Sequence, residues 1–281
     1  MLSHNILSID CQWNCLLAAI LVMTPLPSYP RFELGRVLST EQRAFFTQHG
    51  FLHFCSFAAP EHVQQLLQAT EHVQARWLAE NVKKVNGVPI KYGRDVDGSR
   101  IVQRFAFASQ HHPVPHALLQ DARLQALLPL LEAEDGRVGV NEKDGLVVNH
   151  YVNVEGSAFS QMGWHTDSLR DVFYGKRIGP MLNMGLHLDG TQATNGGLRV
   201  LPGTHRQGLW KMLFRKTYYK TYYKDVFDDP DEVAIETEAG DLTVHDGRMW
   251  QRVVQSLLTG EASRRRVMYV GSAQKTEIIV R

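Results

Sequence analysis

The chain has 281 residues, 44% of them hydrophobic, which suits one large domain with a sizeable core and excludes a disordered or fibrous architecture. Thirty Lys and Arg against 29 Asp and Glu give a net charge of +1, so no overall field favours nucleic acid or a membrane surface. Three cysteines, Cys11, Cys15 and Cys55, cannot build a disulfide framework and point to a reducing, cytoplasmic setting.

Residues 1–30 stand apart as an expected N-terminal extension. Cys15 to Met23 reads CLLAAILVM, far short of the ~20 apolar residues a bilayer-spanning helix needs. No basic residue precedes Arg31, as a secretory leader would require. Met23 opens a sensible chain, so residues 1–22 read as lying upstream of the natural start; the alternative is an ordinary element packed on the domain. Residues 31–281 are expected to form that single domain.

From Ser39, STEQRAFFTQHGFLHF reads as a capped helix: Ser39 or Thr40 can accept from open backbone donors, Glu41 and Gln42 follow, and Gly50 stops it. A short strand follows at Phe51. Pro60 begins a second helix running to Val85, with Val63, Leu66, Leu67, Val73, Trp77 and Leu78 at helical spacing. A third is expected after Pro115, so the first half reads as mostly helical. After Gly136 the pattern changes to short strands separated by Gly, Asn, Asp and Pro turns: VGVNEKDGLVVNHYVNVEG, MLNMGLHLDG, GGLRVLPG, AGDLTVHDG, QRVVQS and RRRVMYVG. With no long helix between successive strands, a β-sandwich or barrel fits better than βαβ units. One interruption, residues 209–232, carries the tandem KTYY-KTYY.

Within Trp164-His165-Thr166-Asp167, residues two apart project from one strand face, so His165 and Asp167 can converge on one ion. An imidazole with a carboxylate suits Fe(II) better than the thiolate sets of structural zinc. A surface turn is the plainer reading of H-x-D alone. Its context is more specific. NGGLRVLPGTHRQG (195–208), AGDLTVHDGRMW (239–250) and SRRRVMYV (263–270) follow it, and STEQRAFFTQHGFL precedes it. In that order the chain resembles, over roughly Leu38 to Val270, the phytanoyl-CoA dioxygenase family of Fe(II)/2-oxoglutarate oxygenases.

The resemblance implies a mostly-β double-stranded β-helix, a cupin-like jelly-roll barrel buttressed by helices. It also implies a 2-His-1-carboxylate metal site with His165 and Asp167 as ligands, and 2-oxoglutarate held by Arg265, whose planar charged fork can pair with a carboxylate at two points. On that strand Arg265, Val267 and Tyr269 share one face, while Arg264, Arg266 and Met268 share the other. Asn149 and Tyr151 are placed to face the interior as further cosubstrate contacts. Gly196, Gly197, Pro202, Gly203, Thr204 and His205 read as turn chemistry.

The departure is the third ligand. Where the family has a histidine after the Gly-Asp pair, this chain has Gln251, a neutral and weaker donor. Gln251 is the positional third ligand and a poor one; His245, expected on a neighbouring strand, is the substitute candidate, and the plainer reading of it is a histidine satisfied inside the barrel or hydrogen-bonded to a neighbour. Val253 is apolar where a small hydroxyl would assist the cosubstrate. Two functions follow: a dioxygenase hydroxylating a small-molecule or acyl substrate, or a barrel kept for binding without turnover. The 209–232 insertion reads either as a lid gripping an anionic substrate through Lys211, Arg215, Lys216, Lys220 and Lys224, or as a solvated segment whose charges balance locally.

Overall fold

A computed structural model of the chain describes residues 28–131, 136–141, 144–157, 161–167, 181–208, 210–211, 214 and 228–274. Residues 1–27 of the expected extension and all but 210, 211 and 214 of segment 209–227 lie outside the described residues. Among the described residues, no helix is long and apolar enough to cross a membrane.

Ser39 caps helix α1 (Thr40–His49). Its hydroxyl accepts from the Gln42 N–H at 3.1 Å while the Gln42 side chain accepts from the Ser39 N–H at 2.9 Å, so two donors left open at the helix start are satisfied reciprocally. Gly50 ends the helix at φ 83°, a left-handed conformation that costs glycine least. Strand β1 (Phe51–Phe54) and helix α2 (Pro60–Ala79) follow as the pattern suggests.

The expected continuation of α2 to Val85 gives way to a hairpin. Lys84–Val85 (β2) pairs with Val88–Pro89 (β3) because Asn86 and Gly87 both take positive φ, 48° and 82°, the two-residue turn whose twist matches paired strands. Strands β4 (Lys91–Arg94) and β5 (Arg100–Phe105) come next, so the first half is less helical than its sequence suggests. The single helix expected after Pro115 is broken into α3 (Pro113–Leu118), α4 (Ala122–Gln125) and a 3-10 turn at Leu128–Leu131. Asp121 accepts from the Arg123 N–H and restarts the chain, and Pro129 has no N–H to continue a helix.

The second half supplies β6 (Gly136–Val138), β7 (Val147–Tyr151), β8 (Met162–His165), β9 (Leu182–His187) and β10 (Gly197–Val200). Beyond them come β11 (Val233–Ala234), β12 (Leu242–Asp246), β13 (Gln251–Val254) and β14 (Arg265–Gln274). A large sheet runs β1-β12-β9-β14-β7-β5-β4, with β6 also against β14, and a smaller one runs β11-β10-β13-β8. The architecture is the expected double-stranded β-helix.

Alternation along each strand divides the molecule. Met268 and Val270 of β14, Val148 of β7, Leu186 of β9 and Val244 of β12 join the apolar core with Leu66 and Trp77 of α2, so the helices cover one face of the large sheet. The residues between them point the other way, between the sheets, and many are polar and buried: Asn149, His187, Thr243, His245 and Arg265, met by His165 and Gln251 of the small sheet. Gly185 makes room there, since a Cβ would stand 2.8 Å from the Tyr269 ring. Barrel strands normally bury apolar side chains; a polar centre costs stability and marks where function is built.

Arg252, next to Gln251, points to the opposite face of β13. Only 2% exposed, it donates to both oxygens of Glu232 at 2.9 and 2.8 Å and to Asp228 at 2.6 Å. The acidic run that closes the insertion is therefore tied to the barrel wall. Glu232→Ala leaves this guanidinium buried with its main partner gone and is expected to lower unfolding free energy by about 3–5 kcal/mol in urea titration; a change under 1 kcal/mol would show the pair to be ornamental.

Two buried histidines set the acid side of stability. Burial, reinforced by the nearby Arg264 and Arg266 charges, holds His150 down at about 4, and burial together with His53 holds His187 at about 3. Both are depressed below the unfolded value of about 6.5. The unfolded chain therefore binds protons first, and stability present above pH 6.5 is lost as pH falls towards 4, by at most ~1.4 kcal/mol per pH unit for each residue. The urea midpoint of the metal-free chain is expected to fall between pH 6.5 and 4.5, with a shallower slope in His187→Asn; an unchanged slope in that variant would remove His187 from the account.

Candidate metal and cosubstrate site

His165 closes strand β8, and Asp167 follows two residues beyond it. His165 and Gln251 are direct partners in the β8–β13 ladder, so Gln251 stands beside the H-x-D pair. The turn chemistry fixes it there. Thr204 donates its hydroxyl to the Leu201 carbonyl at 2.7 Å and accepts from the Trp250 N–H at 3.0 Å, and Leu201 donates to the Trp250 carbonyl at 2.9 Å. The NGGLRVLPGTH segment thereby pins the residue preceding Gln251.

The His165 ring is oriented by its own strand: Nδ1 lies 2.7 Å from the Gly163 carbonyl oxygen. A carbonyl only accepts, so Nδ1 carries the proton. Burial lowers the His165 pKa despite the opposing pull of Asp167, so the ring is neutral and Nε2 carries a lone pair. That nitrogen stands 3.9 Å from Asp167 Oδ1. Burial alone would raise the Asp167 carboxyl, but the His245 and His165 imidazoles beside it and the Asn183 amide hold it well below the ordinary carboxylate range. A lone pair turned towards a carboxylate is a pair of like dipole ends, an arrangement that becomes favourable with a cation between them.

The other carboxylate oxygen, Oδ2, accepts from Gln251 Nε2 at 2.7 Å and from Asn183 Nδ2 at 3.0 Å. An ionised carboxylate accepts and cannot donate, so it holds Gln251 with its amide N–H, not its carbonyl, towards Asp167. His245 Nε2 lies 3.7 Å from the same oxygen. The ring is 1% exposed, and neither of its nitrogens has a hydrogen-bond partner. His245 does not stand on a strand neighbouring Gln251, as the sequence suggests. Strand β12 lies in the large sheet between β1 and β9, while β13 lies in the small one. The turn between them crosses from sheet to sheet, with Gly247 N–H bonded to the Met181 carbonyl, and His245 reaches Asp167 across the interior.

Of the three consecutive arginines, one points inward. Arg264 pairs with Asp95 and Glu261, and Arg266 with Asp189 at 2.8 Å. Arg265 is 2% exposed, directly across the ladder from Tyr151, with its guanidinium carbon 5.2 Å from that ring's centre. Burial lowers its pKa and pushes the Tyr151 phenol up to about 12, so a cation and a neutral phenol coexist there. Asn149 donates to the Tyr151 hydroxyl at 3.2 Å. Sequence reasoning did not single out Asn183 or His187; the alternation of MLNMGLHLDG, which puts both on the face opposite Met184 and Leu186, carries that signal.

A second cluster lies on the same face of the large sheet as Thr243, at its β1 edge. His53, Cys55 and Asp241 place one ligand atom each within 4.8 Å of the others, the one such group among the described residues; the His165, Asp167 and His245 donors stand further apart than that. The second cluster is occupied by protein bonds. His53 Nε2 donates to Asp241 at 2.8 Å, and the N–H groups of Ser56 and Glu238 each donate to the same carboxylate at 2.9 Å. It fastens β1 to the approach to β12, where Gly240 (φ 96°) leaves no room for a Cβ beside the Ala58 carbonyl.

The described fold has relatives of known structure. AviO1 from Streptomyces viridochromogenes Tue57 superposes with a TM-score of 0.62 at 17% identity, covering 88% of this chain and 99% of that one. HygX from Streptomyces hygroscopicus, solved with nickel and 2-oxoglutarate bound, gives 0.60 at 17% identity over 85% of this chain and 88% of its own. SnoN, a non-heme alpha ketoglutarate dependent epimerase from nogalamycin biosynthesis, gives 0.57 at 18% over 83% and 81%. At these identities the likeness is one of fold. No curated protein sequence matches the chain. The model of the phytanoyl-CoA dioxygenase (PhyH) family matches residues 46–251, most of the described barrel and the helices that cover it, and the chain belongs to that family.

Proposed function

We propose that this chain is an Fe(II)- and 2-oxoglutarate-dependent dioxygenase acting on a small molecule. The observation that carries the reading is the neutral His165 imidazole, whose Nε2 lone pair faces the ionised Asp167 carboxylate at 3.9 Å. The donor set, imidazole nitrogen and carboxylate oxygen without thiolate, suits Fe(II). HygX carries a metal and 2-oxoglutarate in the same fold, which supports the pairing of cofactor and cosubstrate here. His165 and Asp167 would hold the iron, with Gln251 or His245 in the third place, and Arg265 would hold the distal carboxylate of 2-oxoglutarate.

Bound iron supplies oxygen activation coupled to oxidative decarboxylation of the 2-oxo acid to succinate and CO₂. The protein's own groups bind and orient. Gly163 fixes the His165 tautomer, while Asn183 and Gln251 hold Asp167 ionised and in place. Arg265, buried across the ladder from Tyr151, is a planar charged fork that can pair with the cosubstrate's distal carboxylate at two points. The retained Asp167 argues against halogenation, which needs the carboxylate's place for chloride. A cytoplasmic location, inferred from the cysteine content, keeps iron ferrous. The cations of the 209–232 insertion favour an anionic substrate.

A second reading, a barrel retained for binding without turnover, draws on Gln251. Anaerobic titration with Fe(II) and 2-oxoglutarate separates the two. A visible metal-to-ligand charge-transfer band is expected for the dioxygenase, and its absence supports the binding module. Arg265→Ala is expected to weaken 2-oxoglutarate binding at least ~30-fold, as loss of a buried charge partner does, with Fe(II) affinity little changed. If 2-oxoglutarate binds equally well without this guanidinium, its anchor lies elsewhere.

A further inference from the structure

We infer that His245, from the facing sheet, supplies the third metal ligand in this chain, and that Gln251 is a positioning residue for Asp167. The inference rests on the metal-dependent reading above and concerns how that site is completed. Three observations carry it. The Asp167 carboxylate is flanked by imidazoles on both sides, His165 Nε2 at 3.9 Å from Oδ1 and His245 Nε2 at 3.7 Å from Oδ2. Both His245 nitrogens are buried without a hydrogen bond, an unfavourable state for a polar group that coordination relieves at Nε2. Gln251 is already engaged, with its amide N–H on Asp167 at 2.7 Å.

The donor atoms stand further apart than coordinated ligands do, so metal entry draws side chains inward. His245 has no hydrogen bond to break in moving and so moves at least cost. Gln251 is held both through its bond to Asp167 and through the Thr204–Trp250 contacts behind it. The exchange of histidine for glutamine at position 251 then leaves the ligand chemistry at two imidazoles and one carboxylate, with one imidazole delivered from β12 instead of β13. Gln251 adds a second amide to that of Asn183 on Oδ2, the outer-shell support that orients a ligating carboxylate.

The test is Co(II) titration of the full-length protein, read by visible absorption and by hyperfine-shifted exchangeable imidazole N–H resonances. Wild-type protein is expected to bind Co(II) and show two such resonances, from the Nδ1–H groups of His165 and His245. His245→Gln is expected to show one resonance and at least ~10-fold weaker binding, since even outer-shell losses cost that much, while Gln251→Ala keeps both. A single resonance in wild type overturns the inference, and this count requires no variant to fold. Failure of the underlying reading looks different: Co(II) binding that is absent in wild type, or unaltered in His165→Ala, would remove the metal site itself.

Discussion

The arrangement on which the site depends is the opposition of a neutral imidazole and an ionised carboxylate inside a closed barrel. The Gly163 carbonyl at 2.7 Å decides which nitrogen of His165 carries the proton, and burial keeps the ring from taking a second. The His245 and His165 imidazoles and the Asn183 amide keep Asp167 ionised where burial alone would neutralise it, and the Gln251 amide N–H also holds its Oδ2. Each group is thus held in the form that a metal ligand needs, and it is held there by protein contacts alone. Without that preparation, H-x-D would be an ordinary acid–base contact in a strand exit.

The strands that prepare the site also build the core, because alternation assigns the two tasks to different residues of the same segment. On β14, Met268 and Val270 pack under the helices while Arg265 and Tyr269 face the interior. On β9, Met184 and Leu186 pack while Asn183 and His187 do not, and on β12 Val244 packs between Thr243 and His245. A register slip of one residue would exchange the sets and destroy both functions. The alternation is held by antiparallel pairing on both sides of β9, β12 and β14, so no interior group can be moved without disturbing the apolar face behind it.

Most of this was legible in the sequence. The capping Ser39, the stop at Gly50, the change to short strands after Gly136 and the single inward arginine of the RRR run all follow from local chemistry and period two. The hairpin at Asn86-Gly87 was legible as well but is masked by the apolar spacing of the helix before it. What sequence could not supply is the contact of His245 with Asp167. Six residues separate His245 from Gln251, which suggests adjacent strands, yet the turn between them changes sheets, and only the three-dimensional crossing brings the imidazole to the carboxylate. The pairing of Arg252 with Glu232 was hidden in the same way, since the acidic run read as balancing the lysines of its own insertion.

Gln251 supports Asp167 from the neighbouring strand β13. A small apolar residue there would have left Asp167 with one amide fewer in a buried setting, and its carboxyl would have moved towards the neutral form. Glutamine keeps a donor on Oδ2 at 2.7 Å, beside the Asn183 amide on the same oxygen. The unsatisfied nitrogens of His245, and the buried Nδ1 of His187 beside them, are a stability cost of about 1–3 kcal/mol for each group that the packing of the helix-covered face offsets.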